Sequence, residues 1–465
     1  MKLFKDLLLG GKSNSGEKSR EEEFIMEKKV KISETPKHIK LSSQSKIIKN
    51  FCTQNYSTIA KQNYNRILMF VKVLNLEPIN ITLLRSLAFR GIPEECKGLR
   101  TLVWNILLGY LGDRPSKWDE EMEHKYTTFN AFKKEFIINP QFSADSAPIP
   151  DGKDNILEET KLEKEIDHPL SLGRKSKWNT FFKDKELWEE IEKDVKRTRS
   201  EMSFLMSATD PTKNIHQDIL FAQAEKRKSE LKAEDYEHYI ETHADVISRI
   251  LFIYGKLNPG ISYIQGMNEL LAILYYCFYR NPIPHPRQIN YLESQTFFCF
   301  ANLMSELRDN FLRAMDKSES GMKGRLQNIS DLLKRLDFPV WDKIREERIE
   351  YEFFAFRWQM LLLSQEFDVP DTLRLWDSLL GDGARFNFFY YVCVAIVLTS
   401  RELILEGDFP KVMHALQGAP QKTDIQSLLA YATELLFVDQ ANQSEDDEQI
   451  QQIRKTDLIE EMELT

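Results

Sequence analysis

The amino-acid sequence predicts an all-α protein. Apolar residues recur at i, i+3 and i+4 in segment after segment, which is the period of an amphipathic helix. Glycine and proline are sparse, with 18 and 17 among 465 residues, and this favours helices over a turn-rich β protein. No segment shows the alternating pattern of a half-buried strand. With 42% apolar residues, the chain is long enough to bury a large core.

Segments with helical periodicity follow one another along most of the chain. They share no fixed repeat length, which argues against a regular solenoid. No apolar run approaches the roughly 18 to 20 residues that a membrane-spanning helix needs. We therefore expect a helical domain over residues 49–438. The clearest helical segments are "YNRILMFVKVLN", "GLRTLVWNILLGYL", "ELWEEIEKDV", "DVISRILFIYGKL", "SQTFFCFANLMSELRDNFL", "ISDLLKRL" and "FFAFRWQMLLLSQEF".

The two ends of the chain and two internal segments are polar. Residues 1–48 are rich in Lys, Glu and Ser with an excess of basic residues, and the composition predicts a disordered basic arm. Residues 439–465 hold nine acidic and two basic residues, which predicts a solvated acidic tail. Residues 140–177 hold four prolines and many charges, and residues 209–243 lack an apolar face. Both segments are typical of insertions within one helical domain.

The composition argues against several classes of function. A net charge of −9 argues against a nucleic-acid partner. His238 and His243 are five residues apart, so their rings diverge on a helix, and we expect no metal site. No Ser/His/Asp or Cys/His arrangement of a catalytic site is visible. The odd number of scattered cysteines, without C-x-x-C, predicts reduced thiols in the core of a cytosolic protein: Cys52, Cys96, Cys277, Cys299 and Cys393.

The stretch "SYIQGMNEL" at 262–270 places a glutamine between two apolar helical segments. "KLNPG" ends the preceding helix, and the next helix is predicted to begin near Met267. Gln265 therefore lies at the amino end of a helix, where unpaired N–H groups and the positive dipole suit a phosphate-bearing partner. Gly266 would let the backbone of a partner approach closely. The alternative is a polar cap hydrogen-bonded inside the core, and these residues alone favour that alternative.

The stretch "LWEEIEKDVKRTR" at 187–199 predicts a helix that carries an oriented arginine. Asp194 and Arg197 are three residues apart, so the carboxylate is placed to hold the guanidinium in one rotamer. Such an arginine near a helix end can reach into another molecule. The alternative is an ordinary exposed ion pair, which contributes roughly 0–1 kcal/mol. The helix would be anchored by one apolar stripe: Leu187, Trp188, Ile191 and Val195.

Together the two stretches resemble the catalytic motifs of a known family. "IEKDVKR" matches I-x-x-D-x-x-R and "YIQ" matches Y-x-Q, the two signatures of the TBC (Tre2/Bub2/Cdc16) domain of Rab GTPase-activating proteins. The segment "RGIPEECKGLRTLVWNILL" at 90–108 resembles the opening of that domain, and 353–380 resembles its C-terminal block. The resemblance covers roughly 89–410, and it is to the subgroup in which the domain carries insertions. The matching residues outside the catalytic motifs are Arg90, Gly91, Ile92, Pro93, Arg100, Trp104, Arg357, Trp358, Glu366, Arg374, Trp376 and Asp377.

The resemblance implies how the two stretches work. TBC domains are all-helical and insert an arginine and a glutamine into the nucleotide site of a GTP-bound Rab. Carried onto this chain, Arg197 is the arginine finger and Gln265 is the glutamine finger, while Asp194 orients Arg197. Arg199 is a nearby alternative for the arginine finger.

The remaining matched residues would support the two fingers. Ile191 would anchor the arginine helix in the core, Tyr263 would pack the glutamine loop, and Gly266 would leave room for the partner. Four residues of the outer motifs would be structural, with helix packing and buried ion pairs: Arg100, Trp104, Trp376 and Asp377.

The resemblance also implies the biological setting. The protein would be an activator that supplies catalytic residues in trans rather than an enzyme by itself. It would need no cofactor, because GTP and Mg²⁺ would belong to the bound Rab. It would regulate vesicle trafficking from the cytoplasm, and it would meet endomembranes transiently through the lipidated Rab. The alternative is a Rab-binding scaffold without catalytic activity, and a third possibility is a helical interaction protein with chance matches.

Overall fold

Helices make up almost all of the regular structure in the computed structural model, which describes residues 47, 61–137, 177–199, 201–209, 241–311 and 321–443. The pairing of strands within these residues is limited to one antiparallel bridge between Ala208 and Thr242. The predicted all-α class is confirmed. In these same ranges no helix is long and apolar enough to cross a membrane.

The first part of the fold contains five helices. They are α1 (Lys61–Leu74), α2 (Ile81–Phe89), α3 (Leu99–Leu107), α4 (Trp118–Phe136) and α5 (Lys177–Arg197). Short 3₁₀ turns occur at Pro115–Lys117 and Ser203–Met206.

The second part contains the longer run of helices. They are α6 (His243–Leu257), α7 (Met267–Arg280), α8 (Gln288–Phe311), α9 (Met322–Leu336), α10 (Phe338–Glu346), α11 (Glu352–Leu361), α12 (Val369–Gly381), α13 (Asn387–Thr399), α14 (Arg401–Glu406) and α15 (Phe409–Gly418). The last described helix, α16, covers 425–443.

Several of these helices begin at residues whose side chains cap free backbone N–H groups. At α6 the Thr242 hydroxyl accepts from the Asp245 backbone N–H, and the Asp245 carboxylate accepts from the Thr242 backbone N–H. At α12 the Asp368 carboxylate accepts from the Asp371 N–H, and a proline stands in the first turn. Each such cap stabilises a helix by about 1 kcal/mol, so these local sequences determine where the helices start.

The core is built around α3, α6 and α7, whose residues are buried on nearly every face. A helix that is apolar on all sides must be covered on all sides. Accordingly α8 packs against α7 and α4, α5 packs against α6, and α12 packs against α2 and α3. This arrangement brings the end of α5 and the start of α7 to neighbouring positions.

A buried ion pair joins α3 to α12. The Arg100 guanidinium donates to both carboxylate oxygens of Asp377, with Nε 3.1 Å from Oδ1, and the Trp104 indole N–H donates to Oδ1 at 2.8 Å. The backbone N–H of Ile92 donates to Oδ2 at 2.9 Å. The Trp104 and Trp376 rings pack beside this pair with centroids 6.0 Å apart. Asp377 is fully buried, so these donors replace the water that its charge loses.

The described cysteines are buried and form no disulfide: Cys96, Cys277, Cys299 and Cys393. Burial raises the pKa of the Cys277 thiol to about 12. The prediction that the cysteines are reduced core residues is confirmed for these four, and Cys52 lies outside the described residues.

The polar segments predicted from composition fall largely outside the described residues, namely the arm at 1–48 and the insertions at 140–177 and 209–243. The ends of the second insertion differ from the prediction, because they belong to the helical fold. The Thr209 N–H donates to the Glu241 carbonyl at 2.9 Å. The Glu241 carboxylate accepts from Arg249 at 2.6 Å and neutralises that buried guanidinium.

The acidic tail also begins later than the predicted residue 439. Helix α16 continues to 443, and Asp439 is buried. Its carboxylate accepts from Arg335 at 3.0 Å and from the Tyr391 hydroxyl at 2.8 Å. These two donors stabilise an acidic residue inside the domain, whereas composition alone grouped it with the tail.

Candidate functional site

Helix α5 presents Arg197 at its carboxyl end. The helix is anchored by the buried side chains of Trp188, Ile191 and Val195, which set its rotation on the core. The Arg197 side chain is 70% exposed and forms an ion pair with Asp194, one turn earlier. Its Nε also donates to the Lys193 carbonyl at 3.2 Å. These two contacts orient the side chain although it faces solvent. The helix dipole also favours a cation at this end of the helix.

The neighbouring Arg199 has a different environment. Its side chain is only 4% exposed, and it forms ion pairs with Glu201 at 3.0 Å and Glu269 at 3.5 Å. It also donates to the Phe367 carbonyl at 3.3 Å. The helix ends at Arg197, and the backbone then turns inward through a left-handed residue at 199, with φ of 36°. Of the two arginines, only Arg197 is accessible to a partner.

The loop between α6 and α7 presents Gln265. Helix α6 ends at Leu257 and α7 begins at Met267, so the predicted helix start is confirmed. Gln265 is exposed, and its side chain forms no hydrogen bond with any residue in the ranges that the structure describes. The alternative of a polar cap buried in the core is therefore wrong, because the amide faces solvent.

One buried hydrogen-bond network connects Arg197 to the loop that carries Gln265. The Tyr263 hydroxyl donates to Asp194 Oδ2 at 2.8 Å, while Asp194 Oδ1 holds Arg197. Asn268 Oδ1 accepts from the Gly266 backbone N–H at 3.0 Å and lies 3.1 Å from the Tyr263 hydroxyl. Asp194 thus serves the arginine with one oxygen and the glutamine loop with the other.

Asn268 extends the network back to the end of α5. Its Nδ2 donates to the Thr198 hydroxyl at 2.7 Å and lies 3.4 Å from the Asp194 carbonyl oxygen. Sequence reasoning missed both Asn268 and Thr198. The available signal was an asparagine at the start of the predicted helix, since asparagine side chains commonly hydrogen-bond to neighbouring backbone groups.

The electrostatics of the network keep its protons in place. Burial raises the pKa of the Tyr263 hydroxyl well above its ordinary value, and the hydrogen bond to the Asp194 carboxylate raises it further. The phenol therefore stays protonated and donates to Asp194 throughout the physiological pH range. As a result, Tyr263 remains a hydrogen-bond donor within the network.

Gly266 allows the glutamine loop to enter α7. Its φ is +107°, a backbone conformation that residues other than glycine rarely adopt. A Cβ added here would lie 3.0 Å from Leu361 Cδ2. Two of the backbone N–H groups here are paired, which differs from the sequence-based expectation. The Gly266 N–H is bound by Asn268, and the Met267 N–H donates to the Ile264 carbonyl at 3.1 Å. The exposed side chain of Gln265 is therefore the clearest group that the loop offers to a partner.

The chemistry available at this site is hydrogen-bond donation and acceptance toward another molecule. Arg197 offers a fixed cationic fork of N–H donors, and Gln265 offers one carbonyl and one NH₂ group. Within the described ranges no group of three or more His, Cys, Asp or Glu is placed to hold a metal ion. The pair is thus able to form hydrogen bonds with a second molecule.

Comparison with known proteins places these features in a family. Residues 230–405 match the RabGAP-TBC family, described as the Rab-GTPase-TBC domain. Gln265 lies inside that match, and Arg197 precedes it. The chain is 39% identical over 403 residues to TBC1 domain family member 13 of Mus musculus, with 80% of this chain and 98% of the relative covered. The human protein of the same name is 38% identical over the same length. The GTPase-activating protein gyp1 of Schizosaccharomyces pombe is 23% identical, with 79% of this chain and 60% of the relative covered.

A solved structure shows the same fold. The crystal structure of the YPT/RAB-GAP domain of Gyp1p superimposes with a TM-score of 0.56 at 23% sequence identity. It covers 80% of this chain and 97% of the Gyp1p chain.

Proposed function

Since the chain belongs to the TBC family of Rab GTPase-activating proteins, we propose that Arg197 and Gln265 enter the nucleotide site of a GTP-bound Rab and accelerate GTP hydrolysis. Arg197 is the arginine finger, and Gln265 is the glutamine finger. The observation that carries this proposal is their geometry: both side chains face solvent, and one buried Asp194–Tyr263–Asn268 network holds Arg197 and the backbone of the loop that carries Gln265.

Each residue type suits its role in phosphoryl transfer. Negative charge spreads over the transferred phosphoryl group in the transition state, and a cationic arginine supplied in trans stabilises it, which is worth about 10³ to 10⁵ in rate. A glutamine amide donates and accepts hydrogen bonds at once, so it can orient the attacking water while it contacts the phosphate.

The shared network gives the two fingers a common position. Phosphoryl transfer depends on positioning and charge, and an error of about 1 Å in a catalytic group can lower a rate a hundredfold. One carboxylate oxygen of Asp194 accepts from Arg197, and the other accepts from the Tyr263 hydroxyl. A displacement of the arginine is therefore opposed by the anchoring of the glutamine loop, and the reverse also holds.

The remaining roles follow from this mechanism. GTP and Mg²⁺ enter with the Rab, so the chain supplies only side chains to the reaction. The membrane is met through the lipidated Rab, and the protein acts from the cytoplasm at endomembranes to regulate vesicle trafficking. Arg100, Trp104, Trp376 and Asp377 hold the domain together and do not touch the nucleotide.

The test is single-turnover GTP hydrolysis by a panel of purified Rab proteins with the wild type and with Arg197→Ala and Gln265→Ala. We expect strong acceleration of one or a few Rabs and its loss in both variants. Lys196→Ala is the matched control for the arginine, because Lys196 lies on the same helix turn and its side chain is 58% exposed. Full activity in Arg197→Ala would contradict the arginine assignment. Binding of Rabs without acceleration would identify an inactive scaffold.

A further inference from the structure

A cavity separate from the Asp194–Tyr263–Asn268 network is lined by arginines. Its volume is about 320 Å³, and its wall includes Arg66, Arg90, Arg100 and Arg374, with Glu94 and Asp371 as the acidic residues. The arginines come from α1, the end of α2, α3 and α12. None of the residues that line it belongs to the Asp194–Tyr263–Asn268 network. We call this cavity the arginine pocket.

Of its four guanidiniums, only that of Arg100 is paired with carboxylates of the described residues. Arg100 is neutralised by Asp377 at 3.1 Å and by Glu94 at 3.0 Å. Arg66 donates to the Arg90 carbonyl at 3.0 Å and to the Gly91 carbonyl. These neutral acceptors use few of the five N–H groups of the Arg66 guanidinium, and no carboxylate of the described residues forms an ion pair with it.

Arg374 and Arg90 complete the set. Arg374 donates to the Ser378 hydroxyl at 2.8 Å, and Arg90 is exposed at the edge of the pocket. Among the residues that the structure describes, no acidic side chain forms an ion pair with Arg66, Arg90 or Arg374.

The arginines repel one another across the pocket. Burial lowers the pKa of Arg374, and the charges of Arg66 and Arg100 lower it further, against the opposite effect of Asp377. Burial likewise lowers the pKa of Arg66, and the charge of Arg90 lowers it further, against the opposite effects of Asp377 and Glu95. A bound anion would relieve this repulsion, since opposite charge stabilises the protonated form.

The two acidic residues do not fill the role of that anion. The Glu94 side chain is 65% exposed and is already paired with Arg100. The pKa of Asp371 is raised by burial and by the carboxylates of Asp368 and Asp424. With four arginines and two acidic residues in its wall, the pocket keeps an excess of positive charge.

The backbone also contributes to the shape of the pocket. Gly91 has φ of +90°, and an added Cβ would lie 2.7 Å from Arg374 Nε. Glycine therefore lets the loop approach the guanidinium, while its carbonyl orients Arg66 from the other side. Arg66 and Arg374 are held by neutral contacts that use only part of their N–H groups.

We propose that the arginine pocket binds a phosphate monoester. Guanidiniums match carboxylates and phosphates by paired hydrogen bonds, but a carboxylate has two oxygens and a phosphate monoester has three terminal ones. Three arginines from three directions suit the tetrahedral group better. The volume is at the lower end of small-ligand sites, so the pocket admits the phosphate together with part of the group that carries it. The source is a soluble phosphate or the headgroup of a phosphate-bearing lipid.

The experiment uses the full chain and two probes, and it does not depend on the activity toward Rab. Calorimetric titration with inorganic phosphate, against sodium chloride at equal ionic strength, measures binding of a soluble anion. Co-sedimentation with phosphatidylcholine vesicles, with and without phosphatidic acid, measures binding of a lipid phosphate. The variants are Arg90→Gln and Arg66→Gln. Arg114→Gln is the matched control, because Arg114 is an exposed arginine outside the pocket.

We expect saturable binding of at least one probe, and a weakening of roughly tenfold to hundredfold in each pocket variant, with no change in the control. Binding to vesicles alone identifies a lipid source, and binding to inorganic phosphate identifies a soluble one. Exposed Arg90 is the decisive variant, since its replacement leaves the buried contacts intact. The proposal is overturned if neither probe binds, or if Arg114→Gln weakens binding as much as Arg90→Gln.

Discussion

The hydroxyl of Tyr263 links the arginine helix to the glutamine loop, and Tyr263→Phe tests that link. The variant keeps the buried ring and removes a single donor, which contacts Asp194 Oδ2 at 2.8 Å. A buried hydrogen bond to a charged group contributes about 1.5–3 kcal/mol, and the variant leaves one carboxylate oxygen without its donor. We expect the free energy of unfolding to fall by about that amount.

The same variant should weaken activation of the Rab while Arg197 and Gln265 remain present. Because Asp194 loses one of its two restraints, the arginine is less well oriented, and we expect kcat to fall roughly tenfold to hundredfold with a smaller change in KM. The measurements are chemical denaturation and Rab GTP hydrolysis at several concentrations of the activator. Tyr390→Phe is the control, since this half-buried tyrosine forms no hydrogen bond with the described residues.

A double-mutant cycle with Asp194→Asn separates the link from the individual residues. Groups in direct contact show interaction energies of about 0.5–3 kcal/mol, whereas independent groups are additive. Additive losses of stability, or a Tyr263→Phe protein with wild-type stability and activity, would refute the reasoning that one network holds both fingers.

Three further predictions concern the glutamine loop, the α3–α12 ion pair and a buried histidine. Gly266→Ala should destabilise the fold by at least about 1 kcal/mol and lower Rab activation, because φ is +107° and the Cβ would crowd Leu361. Wild-type denaturation and kinetics in this variant would contradict the expected strain. Arg100→Met should cost about 3–5 kcal/mol of stability, since it leaves Asp377 buried without its cation, whereas Arg345→Met, in an exposed pair, should cost at most about 1 kcal/mol. Burial lowers the pKa of His243 to about 4, below its ordinary value of 6.5, so the unfolded state binds the proton first as pH falls. The contribution of neutral His243 to the free energy of unfolding should be complete above pH 6.5, and up to about 3 kcal/mol should be lost toward pH 4. A His243→Phe protein with the same pH profile of denaturation would exclude His243 as the origin of the loss.

The elements that were predictable are those with local causes. The segment "KLNPG" ends one helix and Met267 begins the next, because a proline and a glycine interrupt helical hydrogen bonding over a few residues. The apolar stripe of α5 likewise lies within one helix, and its period alone identifies the buried face. Arg197 and Gln265, by contrast, were selected by the resemblance of their motifs to a known family, because the residues by themselves left an ordinary exposed ion pair and a buried polar cap as alternatives.

The boundaries of the polar segments were less predictable. Asp439 was grouped with an acidic tail, but Arg335 and Tyr391 stabilise it inside the domain. Glu241 was grouped with an insertion, but it neutralises Arg249. In both cases an acidic residue has its hydrogen-bond and ion-pair partners elsewhere in the chain. The composition of a segment contains no information about those partners.

Local periodicity and the short motifs determined the helical class of this protein and the family to which it belongs, and they select Arg197 and Gln265 as the residues that we propose as fingers. The tertiary structure alone decided that Gln265 faces solvent, that Arg199 is enclosed while Arg197 is accessible, and that Asn268 joins their loops. It also brought Arg66, Arg90 and Arg374 around one cavity. The physical reason is the range of the interactions. Helix periodicity and capping act over a few residues, whereas burial and hydrogen-bond partners depend on which helices pack together.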